Sequence, residues 1–191
     1  EPRPGAWVDD VTVWMRCISR GLPDGMFPRL YNNNYNILQT PDHVVILYEM
    51  IHDARIIPLD GRPSLPDTVR QWNGDPRARW EGDTLVVETT HFVGQEFNLI
   101  PHGGGGAGTY SGASGALHLT ERFTRVSDDF IEYRFTIDDS DLYTRPWTGV
   151  IPLTTIESPQ TILEYACHEG NYSIVGALSG ALARDAAASR D

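Results

Sequence analysis

LHLTERFTRV (residues 117–126), SDD (127–129) and FIEYRFTI (130–137) follow one another in the chain, and their reading decides the fold class. Leu117, Leu119, Glu121 and Phe123 alternate with His118, Thr120, Arg122 and Thr124. Ile131, Tyr133, Phe135 and Ile137 then alternate with Glu132, Arg134 and Thr136. A period of two, broken by a short polar turn, is the pattern of a half-buried antiparallel hairpin. One residue breaks the rule. Glu121 falls on the apolar face, where a carboxylate needs a partner or a shifted ionisation, so it becomes a catalytic candidate; an arginine partner would equally account for it.

The same signature extends outward from this hairpin. Asn36–Thr40 and His43–Ile51 flank the turn pair Pro41-Asp42, and Ala54–Leu59 closes at Asp60-Gly61. Short runs at Val69–Trp72 and Arg77–Trp80 lead to the turn Glu81-Gly82-Asp83 and the strand Thr84–Phe92. There Leu85, Val86 and Val87 are consecutive and apolar, which predicts cover on both faces. Thr148–Ile156 and Ile162–Cys167 are the last strands expected, and Tyr172–Leu182 has Ile174, Val175, Leu178 and Leu182 at helical spacing. The tally predicts a mostly β chain with eight to ten antiparallel strands and a short C-terminal helix. Residues 1–34 read as an irregular segment and 35–185 as one domain. Tight turns without intervening helices exclude a parallel α/β fold. A lipocalin-like barrel, which removes exposed edges and leaves room for a ligand, is the expected closure, with a β-sandwich as the alternative.

The 191 residues suit one domain, and 40% hydrophobic residues suffice for a core. A net charge of −11 repels phosphate backbones and anionic lipid, so nucleic acid is not an expected partner. No run reaches the roughly 20 apolar residues of a membrane span, so no membrane insertion is expected. A charged-then-apolar leader is missing from the start, which leaves a cytoplasmic protein or one already processed. Cys17 and Cys167 are either two buried thiols or one disulfide across most of the chain. They rule out a cysteine-based zinc site, and the six histidines show neither His-x-His nor His-x-x-x-His spacing, so no metal or other cofactor is expected.

Several segments carry a resemblance. They are RCISRGLP (16–23), YNNNY (31–35), EMIHDARIIPLDGR (49–62), RWEGDTLVV (79–87), ERF (121–123), YTRPW (143–147) and EYACHEGNY (164–172). In this order they resemble a widespread group of uncharacterised, exported bacterial proteins. The resemblance implies a periplasmic or secreted location and supplies no activity.

The chemistry is sought first in Glu49, His52, Asp53 and Arg55, the densest set of ionisable groups beside an apolar strand. A histidine near carboxylates can serve as general acid or base, and an arginine can hold an oxyanion with its fork of donors. The bland alternative is a polar turn with a surface ion pair. His168, at the step from last strand to helix, is a substrate-binding candidate, set against simple helix capping by Glu169 or Asn171. Tyr35, Trp80, Tyr133 and Trp147 would wall an apolar pocket, or else belong to the core. The glycine-rich stretch 101–115, with seven glycines, reads as a lid and lacks the ending of a phosphate cradle. These residues together predict a cofactor-independent enzyme performing isomerisation, cyclisation, hydration or elimination on a small apolar molecule. A carrier of such molecules without chemistry is the alternative, and a filled structural module the third.

Overall fold

The computed structural model describes residues 13–28, 31–94, 113–156 and 162–189. Eight strands form two antiparallel sheets. The smaller holds β1 (Tyr35–Gln39), β2 (His43–Tyr48) and β3 (Ala54–Pro58). The larger runs in sequence order through β4 (Asp75–Glu81), β5 (Thr84–Thr90), β6 (His118–Ser127), β7 (Phe130–Asp138) and β8 (Trp147–Thr154). The expected barrel is therefore corrected: β3 and β4 are not paired, the sheets do not close, and the arrangement is sandwich-like. The cause lies in residues 59–74, a connection with Pro63 and Pro66 that carries the chain from one sheet to the other. Proline cannot donate to a strand ladder, so the run cannot continue the first sheet.

The core sits between the sheets. Val44, Ile46, Tyr48 and Ile57 of the small sheet meet Leu85, Val87, Leu119, Phe123, Tyr133, Phe135 and Ile137 of the large one. Alternation puts these residues on one face, as β6 and β7 predicted, while His118, Thr120 and Arg122 point outward. Val86 points outward as well, yet it is buried. Its cross-strand neighbours Arg79 and Arg122 are bridged by Glu81, at 2.9 Å from each guanidinium, so long charged side chains cover it. The ring of Phe135 occupies the space beside Gly149 of β8, where a Cβ would come within 2.3 Å of it. Leu22 and Met26, from the irregular N-terminal stretch, complete the core.

Two expected strands are absent. Val69–Trp72 reduces to a single bridge between Gln71 and Phe92. Residues 162–167 follow β8 without entering a sheet and are instead fastened by a disulfide between Cys167 and Cys17. α1 (Tyr172–Ala188) is longer than its apolar spacing implied. Among its described side chains Ala181 is buried, whereas Val175 and Leu182, expected on the packed face, are exposed. The stretch 101–115 read as a lid lies outside the described residues except for 113–115.

Candidate functional site

The expected site residues separate into three places. Arg55, Glu121 and Tyr133 meet in the core. Because β3 and β6 face each other across the sandwich, the Arg55 guanidinium reaches both Glu121 carboxylate oxygens, at 2.9 and 2.5 Å. It also donates to Thr89 Oγ1 at 2.7 Å, and Tyr133 Oη donates to Glu121 Oε1 at 2.9 Å. All four side chains are buried. Burial alone works against the Arg55 charge, but Glu121 outweighs it and raises the guanidinium above its ordinary range. Burial, reinforced by Glu121, likewise holds Tyr133 well above an ordinary phenol. The carboxylate's acceptors and the guanidinium's fork are turned upon each other, which makes this an internal brace.

Asp53 belongs to a second cluster. Its Oδ2 accepts from Asn73 Nδ2 at 2.8 Å and lies 3.0 Å from Ser19 Oγ. Ser19 Oγ is 2.8 Å from Asn73 Oδ1 and accepts from the Gly21 amide at 2.9 Å. Its single proton serves either Asp53 or Asn73, so the triangle ties the N-terminal stretch to β3 and to the turn before β4. Tyr35 supports the same region by donating to the Gly25 carbonyl at 3.2 Å and packing edge-on to Tyr48 at 5.6 Å. Burial pushes its phenol up to about 12.

Glu49 and His52 stand in the third place, at the turn between β2 and β3. Glu49 is buried and held by neutral donors, Asn34 Nδ2 at 2.5 Å and the Leu163 amide at 3.4 Å. His52 is exposed, and its Nδ1 lies 3.0 Å from the Tyr165 carbonyl. A carbonyl only accepts, so Nδ1 carries a hydrogen, and in the neutral imidazole Nε2 is then the acceptor. The expected pairing of His52 with Glu49 or Asp53 through side chains does not form: each carboxylate is engaged elsewhere. What holds His52 is the backbone. Ile51 has φ +65° and His52 φ +48°, two successive left-handed residues, one of them β-branched. Such a residue costs about 1–3 kcal/mol, tolerated where surrounding structure dictates it and concentrated at functional sites.

Beside this turn the strap 162–171 and the N-terminal stretch enclose an open cleft of about 450 Å³, lined by Trp14, Tyr31, Asn32, Glu164, Tyr165 and Asn171 among others. Tyr31 and Tyr165 are nearly parallel, their centroids 6.5 Å apart and their hydroxyls 3.5 Å apart. Burial, and after it the bond with Tyr31, pushes Tyr165 up to about 12, so its hydroxyl keeps its proton near neutral pH. The Cys17–Cys167 bond ties Cys167, a lining residue, to the N-terminal stretch, and Asn171 Nδ2 donates to the Met15 carbonyl at 2.6 Å. Asn171 stands at the helix N-cap without capping it, and His168 is exposed on the turn before it.

Of the expected pocket walls, Trp147 packs edge-on against Phe135 at 5.6 Å, and Trp80 lies on a separate surface. Ser19, Asn34, Asn73 and Thr89 join these clusters without any local pattern to mark them, since their partners lie 15 to 54 positions away. Among the described residues no group of three or more His, Cys, Asp or Glu is placed to hold a metal, and no helix is long and apolar enough to cross a membrane. None of the family models, curated proteins or solved structures compared with this chain matches it.

Proposed function

We propose that this chain is an exported, cofactor-independent enzyme of proton-transfer type, acting on a small organic molecule in the external cleft beside His52 rather than inside the sandwich. The observation that carries the reading is His52 itself. A strained turn presents it, and its Nδ1 is fixed by the main-chain carbonyl of Tyr165, a residue that itself lines the aromatic cleft. Nε2 would remove a proton from an acidic C–H of the bound molecule. The Tyr31 and Tyr165 hydroxyls would donate to the oxygen on which negative charge gathers. The core brace of Arg55, Glu121 and Tyr133 takes no part in this chemistry. Export is supported by the resemblance and by the disulfide, a bond that persists in oxidising compartments.

The probe is nitrobenzisoxazole, whose ring C–H loses its proton to a base as the N–O bond breaks, giving a nitrile and a coloured phenolate. Turnover above that of free imidazole at equal concentration is expected, with loss in His52→Ala and reduction in Tyr165→Phe. Equal rates in wild type and His52→Ala would remove His52 from the mechanism. A carrier without chemistry is the second reading, favoured by the aromatic lining. It predicts that His52→Ala binds small aromatic molecules as wild type does and that neither protein turns the probe over.

A further inference from the structure

A second surface lies at the other end of the small sheet. β2 runs from His43 to Tyr48, with the turn bearing His52 just beyond Tyr48 and Gln39 paired near its start. At about 3.3 Å per residue, the two ends are roughly 20 Å apart. The strands of the large sheet are longer than those of the small one and overhang it here. Register places Trp80 opposite Leu85, and Leu85 opposite Phe123, both buried, so the indole is on the core-facing side of its sheet. It is nevertheless 46% exposed, and the small sheet contributes to the groove beside it only Gln39, the last residue of β1.

The overhang makes an open groove of about 720 Å³. Trp80 and Val126 give it apolar surface, Val126 being turned out (61% exposed) at a register break in β6. Its rim is polar and of both signs: Gln39, Asp83, Arg125 and Asp128. Arg125 is held toward Asp128 at 3.1 Å, whereas the side chains of Gln39 and Asp83 have no hydrogen-bond partner among the described residues. Trp80 makes no ring contact with another described aromatic or cation.

The geometry points to a binding site for a neutral saccharide. A sugar ring offers one face of C–H groups to an indole and a rim of hydroxyls that donate and accept, as Gln39, Asp83 and Arg125 require. A wholly apolar ligand would be left half in water, and the net charge of −11 disfavours phosphorylated compounds.

The test is electrophoresis of the intact, oxidised protein in native gels cast with soluble β-glucan, xylan or galactomannan, with alginate as the acidic comparison. Retardation by at least one neutral polysaccharide is expected, weakened roughly tenfold in Trp80→Ala and also reduced in Asp83→Ala and Gln39→Ala. Trp72→Ala, which alters another exposed indole outside the groove, should bind as wild type does. Thermal melts confirm that each variant is folded. Free migration in all three neutral gels, retardation by alginate alone, or undiminished retardation of folded Trp80→Ala would each overturn the assignment.

Discussion

Replacing Glu121 with Gln tests whether the core brace is structural. The substitution keeps volume and an acceptor for Tyr133 but strips Arg55 of its counter-charge, and Arg55 is 3% exposed. Leaving one member of a buried ion pair uncompensated costs about 3–5 kcal/mol, and Arg55→Met should cost a similar amount. The double variant Arg55→Met/Glu121→Leu removes both charges and leaves two hydroxyls, Thr89 and Tyr133, without their partners. At about 1–3 kcal/mol each, that loss is smaller than the summed single effects. With Glu121→Leu as the matching single variant, the cycle should show a coupling of about 4 kcal/mol at the middle of both ranges. Adding Thr89→Val and Tyr133→Phe should recover more. Equilibrium unfolding in urea with the disulfide intact measures each variant. Single substitutions costing under about 1 kcal/mol, or strict additivity, would refute the brace.

Three further outcomes follow from other parts of the molecule. Tyr35, with its phenol at about 12 in the fold against about 10 in the unfolded chain, stabilises fully below pH 10 and loses that contribution as pH rises to about 12. Alkaline melts should show stability falling across that window, less steeply in Tyr35→Phe; identical slopes would exclude Tyr35 as a source. The disulfide closes a loop of 150 residues, worth about 5 kcal/mol in the chain-entropy account, so Cys17→Ser/Cys167→Ser should lose most of its stability in urea titration. A loss below about 1 kcal/mol would mean the strap is held by its other contacts. Gly149→Ala should cost about 1–3 kcal/mol, since its Cβ would meet the Phe135 ring at 2.3 Å, and a neutral melt would show that the ring shifts freely.

Periodicity reads individual strand pairs well, because a pleat imposes a period of two wherever one face is buried. The β6–β7 hairpin and the inward position of Glu121 are legible for that reason, and Arg55 is the arginine partner such a position calls for. Closure is a different property. It depends on whether β1 or β3 finds an edge of the other sheet, and no local pattern records that. The run at 162–167 resembles a strand in composition, yet its Leu163 amide goes to Glu49 and its Cys167 to Cys17. The site was legible only in part. His52 stands out as a titratable group beside a strand, but its partner is a main-chain carbonyl 113 positions away. A carbonyl carries no sequence signal at all.

Small organic molecules are expected at the external cleft, because the space between the sheets is filled by side chains. Chemical-shift mapping of side-chain aromatic and methyl resonances, during titration with phenol, toluene and benzamide, tests it most directly. The account predicts saturable shifts at His52, Tyr31 and Tyr165, with Tyr133, Phe135 and Ile137 unmoved. Shifts centred on Tyr133, Phe135 and Ile137 would place the ligand between the sheets and contradict it.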